Sequence, residues 1–217
     1  HGFNNPKGLY KKNRVDIVLT GDSFTEGYSV HSDETISAVL RKSGFNTISL
    51  GKTRNGSLIE LATLKEYAEP LEPKIVLWMY YTNDVGGGRT GIGDDLLREL
   101  NSSLLRKYLD EDDFSQNLIL RQDEIDSVLM NYVRGKWEKQ RQIEIKRRRE
   151  RNRVTTNQII KIFKLYNLRQ RTILKPEVVP MPAPAIFNNI LEKSRKMISR
   201  WGGRMYFVYL TDFNRYL

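Results

Sequence analysis

The sequence predicts an α/β protein whose parallel sheet is flanked by helices, and three observations predict it. Short β-branched or almost wholly apolar runs alternate with segments whose apolar residues recur at helical spacing. The runs are apolar nearly throughout, as strands covered on both faces are. Each of the first three ends in a polar, turn-forming cluster, and in such sheets ligands bind outside the carboxyl ends of the strands.

Val15-Asp-Ile-Val-Leu19 is the first strand and runs into Thr20-Gly21. Residues 33–43 place Ile36, Val39 and Leu40 at helical spacing, with Gly44 as the stop. Asn46-Thr-Ile-Ser-Leu50 is the second strand. Ser57 to Ala68 is a second helix, with Leu58, Leu61, Ala62 and Leu64 on one side, and Pro70 and Pro73 end it. Ile75-Val-Leu-Trp-Met-Tyr-Tyr81 is the third strand, to whose core Trp78, Tyr80 and Tyr81 are assigned. Five glycines in the nine positions 85–93 suit a flexible loop or a close backbone approach to a ligand. Asp94 is placed to cap one helix through Leu109, carrying Leu96, Leu97, Leu100, Leu104 and Leu105.

The middle of the chain reads as helical. Ile125, Val128, Leu129 and Tyr132 share a face, a basic tract follows, and Thr156 to Leu168 repeats the helical spacing. A proline-rich loop over 176–184 leads to a last helix, 186–201, and a last strand, Arg204-Met-Tyr-Phe-Val-Tyr-Leu210. The expected organisation is a single domain over 1–217 with a mainly helical insertion over 114–200.

With 217 residues, 39% of them hydrophobic, the chain can bury one sizeable core. No apolar run reaches the ~18 residues of a membrane span, and the first residues lack the basic-then-apolar order of a signal peptide. The absence of cysteine excludes disulfides, thiolate catalysis and Cys-based metal sites. Two separated histidines, and carboxylate clusters (94–95, 110–113) that read as caps and a turn, support no metal site, and no cofactor is expected. The net charge of +10 is local, because residues 134–153 hold ten Lys or Arg against three acids. That tract is either a solvated helix or a contact for an anionic surface such as nucleic acid, membrane or acidic polysaccharide. Localisation is left open between periplasm and cytoplasm, and so is the oligomeric state.

The chemistry centres on Gly21-Asp22-Ser23. A serine just after a buried strand stands where the chain turns sharply toward a helix, so its hydroxyl can project from the sheet edge beside backbone N–H groups. Gly21 permits the turn, and Asp22 can brace it. Gly21-Asp-Ser-Phe-Thr-Glu-Gly27 resembles the first block of the GDSL-type hydrolases, also called the SGNH family. Ile48-Ser-Leu-Gly-Lys-Thr-Arg-Asn-Gly-Ser57 matches the family's second block in position, and Tyr80-Tyr-Thr-Asn-Asp84 the third. The broader pattern is similar to a bacterial subgroup with a helical insertion, and the likeness covers nearly the whole chain.

The resemblance implies a flavodoxin-like three-layer fold and a serine ester hydrolase. It implies Ser23 as nucleophile and Asn83 as an oxyanion donor, with Asp84 bracing its own loop. The family's oxyanion glycine falls on Arg54, or on Gly56 after a shift of two residues; Gly51 serves the strand-end turn. Thr82 stands where many members have glycine. The substrate class implied is a small-molecule, carbohydrate or lipid ester, acetyl or longer. An O-acyltransferase using the same serine is one alternative; a catalytically inactive module that binds a ligand or nucleic acid is another. A nucleotide-binding fold is disfavoured by the lack of the expected glycine-rich motifs.

The base is the missing part. Serine hydrolysis of this kind uses histidine, and only His1 and His31 exist. The family places its histidine three residues beyond an aspartate after the last strand; here Asp212 is followed by Arg215 in that place. The expectation is a domain that ends before its last block, and the competing one is a pseudo-enzyme.

Overall fold

A computed structural model describes residues 2–12, 14–81, 94–151 and 183–210. The chain divides into two compact units, 1–120 with 180–217, and 121–179.

The first unit is built on β1 (Ile17–Thr20), β2 (Thr47–Ser49), β3 (Ile75–Tyr81) and β4 (Arg204–Leu210), all parallel and ordered β2-β1-β3-β4. Val18 lies opposite Ile48 and Val76, and Trp78 lies opposite Thr20 and Phe207. Because side chains alternate across a strand, Val18, Ile48, Val76 and Trp78 all enter one face, where they are almost fully buried. Ile17, Leu19 and Met79 enter the other. Each such side chain taken from water contributes about 1.5–3 kcal/mol.

Helices cover both faces. On the first lie α3 (Ser57–Thr63) with Leu58 and Leu61, α4 (Asp94–Leu100) with Leu96, and α7 (Ala183–Arg200) with Ile190, Met197 and Ile198; α5 (Ser103–Asp110) packs on α3 and α4. On the second, α2 (Ile36–Lys42) contributes Leu40. The first unit is therefore a mixed α/β fold in which helices flank a parallel sheet. The short α1 (Ser23–Glu26) follows β1 directly, and α6 (Gln122–Arg151) belongs to the second unit.

Several elements differ in detail from their expected bounds. The helix expected from residue 33 begins at Ile36, because the Thr35 hydroxyl accepts from the Ala38 N–H at 3.1 Å and caps it there. The helix expected over 57–68 is α-helical only to Thr63, then π over Leu64–Ala68 and 3-10 over Glu69–Leu71, with Pro70 in that last turn. The single helix expected over 94–109 is two, because Ser102 caps α5 by accepting from the Leu105 N–H at 3.3 Å.

The N-terminal segment acts as an edge for β2. The Asn5 side chain donates to the Ser49 carbonyl at 2.7 Å and accepts from the Ser49 N–H at 2.8 Å, as a neighbouring strand would. Phe3 meets Tyr67 edge-on at 5.1 Å.

In the second unit, α6 runs unbroken through the start of the basic tract, and Arg134, Lys136, Lys139, Arg141 and Lys146 are exposed. Arg121 grips Glu124 with two nitrogens at 2.8 Å. The helix expected over 156–168 lies outside the described residues, as does most of the proline-rich loop. Among the described residues, no helix is long and apolar enough to cross a membrane.

Candidate functional site

The strand order reverses direction at β1. The chain steps outward from β1 to β2, then crosses back to β3 and β4 on the other side. β1 and β3 are therefore adjacent strands whose following strands lie on opposite sides, and that reversal marks the general binding position of such sheets. The segment after β1 carries Ser23.

Local chemistry fixes that segment tightly. Gly21 has φ +152°, and a Cβ there would lie 2.2 Å from Thr25 Oγ1 and 2.7 Å from the Met79 carbonyl oxygen. Only glycine fits between the strand and the turn. Asp22, buried, caps α1 by accepting from the Phe24 N–H at 3.0 Å through Oδ1. Ser23 is the first residue of this one-turn helix, and its Oγ donates to Asp22 Oδ2 at 3.4 Å, a long contact. Phe24 is 50% exposed and its ring lies 4.6 Å from that of Tyr81, at the end of β3.

The second loop is docked on α1. Gly51 lies so close that a Cβ would fall 2.7 Å from the Glu26 nitrogen. The Lys52 N–H donates to the Gly21 carbonyl at 3.2 Å. Glu26, three residues after Ser23, accepts from the Lys52 ammonium, from the Thr53 N–H at 2.7 Å and from the Thr53 hydroxyl at 2.5 Å. Burial is the largest influence on Glu26 and raises its pKa, but the hydrogen bonds from Lys52 and Thr53 together outweigh it and hold the carboxyl below its ordinary value.

Beyond Thr53 the two candidate oxyanion positions differ in kind. The Asn55 N–H donates to the Lys52 carbonyl at 3.0 Å and closes a four-residue turn. Arg54 occupies the third place of that turn at φ +71°, where glycine costs least. Its side chain is exposed, and its N–H meets no acceptor among the described residues. The Gly56 N–H, by contrast, donates to Glu99 Oε1 at 2.6 Å. Glu99 comes from α4, is 1% exposed, and also accepts from the N–H groups of Leu58 at 3.1 Å and Ile59 at 3.3 Å. Burial raises the pKa of Glu99 to about 7, against the lowering effect of the three N–H groups, and Asp95 adds to the rise.

Glu26, Lys52, Thr53 and Glu99 escaped the sequence reading. Glu99 left one trace, a carboxylate between Leu96 and Leu100 on the apolar side of its helix.

The structure thus brings Gly21, Asp22, Ser23, Arg54 and Gly56 into two adjoining loops at the carboxyl ends of β1 and β2. Asn83, Asp84 and Thr82 lie outside the described residues, as do His1, Asp212 and Arg215. His31 is exposed in the connection before α2, and among the described residues no imidazole bonds to Ser23. Among the described residues, no three side chains of metal-binding type come together. No family model matches the chain, and no curated protein matches it.

Proposed function

We propose that this chain is a serine ester hydrolase of the SGNH type that works through an acyl-enzyme on Ser23. The observation that carries this reading is the pairing of two loops at the carboxyl ends of the neighbouring strands β1 and β2. One holds Ser23 at the start of a helix turn; the other holds Arg54 in a left-handed turn with an open N–H. The left-handed Arg54 supports placing the family's oxyanion glycine there, because its backbone is the one glycine would adopt. The Gly56 N–H is already committed to Glu99, so Gly56 serves as the helix cap and Arg54 as the donor.

In this reading the Ser23 hydroxyl adds to the ester carbonyl while a base takes its proton. The oxyanion receives the Ser23 and Arg54 N–H groups and the Asn83 amide. Collapse expels the alcohol, which carries the proton away, and water releases the acid from acyl-Ser23 by the same steps. An alcohol in place of that water gives acyl transfer. Asp22 holds the turn and Asp84 its own loop. The base would be an imidazole other than that of His31, which is exposed and makes no hydrogen bond to Ser23. The flavodoxin-like order β2-β1-β3-β4 suits this family. Phe24 and Tyr81 beside Ser23 suit an acyl chain or a sugar ring, which keeps carbohydrate and lipid esters foremost.

The test is labelling of the full-length protein by a serine-directed phosphonate. Label is expected on the wild type and absent from Ser23→Ala, with ester hydrolysis lost in parallel. Wild-type protein that neither takes the label nor cleaves esters of any acyl length defeats the reading. The exposed cations of α6 favour a second, separate property, salt-sensitive contact with an anionic surface. Neutralising Arg134, Lys136, Lys139 and Arg141 together is expected to abolish retention on anionic vesicles and leave ester cleavage intact.

A further inference from the structure

A carboxylate with no place in the acyl-enzyme scheme sits directly behind the second loop. Glu99 enters from α4 and is almost fully buried, yet among the described residues it makes no ion pair; what it meets there is backbone. Its two oxygens accept from the cap residue Gly56 and from Leu58 and Ile59 in the first turn of α3, whose free N–H groups Gly56 has no side chain to satisfy. The fit is close: a Cβ on Gly56 would lie 2.6 and 2.7 Å from the Glu99 oxygens. The glycine and the carboxylate therefore define each other's place.

We propose that Glu99 is a positioning residue for the turn that presents the Arg54 N–H. This rests on the hydrolase reading only for the meaning of that N–H. The chain of contacts is short and mechanical. Glu99 holds Gly56 from behind, Glu26 holds Lys52 and Thr53 from the side of α1, and the turn 52–55 is suspended between those anchors. One anchor belongs to the segment of Ser23. The other belongs to α4, the helix that follows the Asn83 segment in sequence.

All three of its partners among the described residues are donors, so the group must be acceptor-only to satisfy them. A protonated carboxyl, or a glutamine amide, turns a donor toward an N–H and surrenders one of the contacts. Among the described residues, the groups acting on Glu99 are those three N–H groups from the 56–59 segment and, on its own helix, Asp95, which pairs with Arg98 at 2.8 Å. Burial and Asp95 bring its titration to about pH 7. The turn is then held firmly above neutrality and more loosely below it.

The experiment follows backbone amides of the 217-residue chain by NMR from pH 5 to 9. The Gly56, Leu58 and Ile59 shifts are expected to titrate together near neutrality. In Glu99→Gln the transition disappears, and hydrogen exchange at Asn55, whose N–H closes the turn, is expected to accelerate roughly tenfold as one anchor weakens. In Asp95→Asn the transition moves to lower pH, which supplies the answer should Glu99→Gln fail to fold. Gly56 and Leu58 shifts that do not titrate together, or Asn55 exchange that ignores the transition, overturn the proposal. In the full-length protein, Glu99→Gln is expected to lower kcat roughly tenfold or more with KM little changed, and Glu99→Asp to recover part of it. Wild-type protein without ester cleavage defeats the hydrolase reading, while the amide titration still decides whether Glu99 holds the turn.

Discussion

Arg54 keeps its side chain in solvent and its strain in the backbone. A left-handed conformation costs a residue with a Cβ about 1–2 kcal/mol, and glycine returns roughly 0.5–1 kcal/mol of that through the freedom of the unfolded chain. Arg54→Gly is therefore expected to raise stability by up to about 1 kcal/mol, and the β-branched Arg54→Val to lower it. Urea midpoints at constant m check both, and a glycine variant less stable than the wild type contradicts the left-handed turn. Gly21 is the opposite case, because the space beside it is already filled. The Met79 carbonyl, 2.7 Å from where a Cβ would go, belongs to a strand and cannot yield without moving β3. Gly21→Ala is expected to cost roughly 2–3 kcal/mol and, in the full-length protein, to abolish phosphonate labelling even where the chain still folds.

At the scale of elements, the outer edge of β2 depends on one side chain. Asn5 supplies both a donor and an acceptor to Ser49, whose backbone would otherwise be a buried, half-paired strand edge. Asn5→Ala removes both contacts at a cost of about 1–3 kcal/mol, and exchange at the Ser49 amide is expected to accelerate while Val76, inside the sheet, stays protected. No sequence pattern foretold this strap, since its contact spans 44 residues and has no period. The strands themselves were legible to within a residue or two, because strands buried on both faces are written as apolar runs. The break between α4 and α5 was not, because Leu96, Leu100, Leu104 and Leu105 keep helical spacing across it while Ser102 ends the helix by a local cap. The site divides in the same way. Gly21-Asp22-Ser23 announces itself by its order, whereas Glu26 and Glu99 act on backbone N–H groups of a loop far away in sequence, which no motif records.

At the scale of the whole molecule, the displaced carboxylates Asp16, Glu26 and Glu99 make stability depend on pH. Asp16 and Glu26 lie below their ordinary values. Asp16 is held there by the hydrogen bond from Lys74 and then the Asn46 N–H, Glu26 by Lys52 and Thr53 against its burial. For both, the folded state favours the ionised form, so the stability they contribute is present above the ordinary carboxylate pKa and is lost as pH falls through the folded one. Glu66 satisfies its lone pairs differently, from the Tyr108 hydroxyl, Ser115 and the Gln116 and Leu118 N–H groups. Glu99 runs the other way. Its pKa rises from 4.5 to about 7 on folding, so between those values the unfolded chain is ionised while the folded chain keeps the proton. Its contribution is therefore fully present below 4.5 and declines as pH rises to about 7, a change of about 3 kcal/mol by linkage. The stability of the 217-residue chain is expected to peak on the acid side of neutrality, falling below the peak through Asp16 and Glu26 and above it through Glu99. Urea unfolding at intervals from pH 4 to 9 measures this directly. In Glu99→Gln the decline from pH 5 to 8 should be nearly gone while the acid limb stays in place. An equal decline in both proteins would move the titration to another group and leave Glu99 ionised throughout.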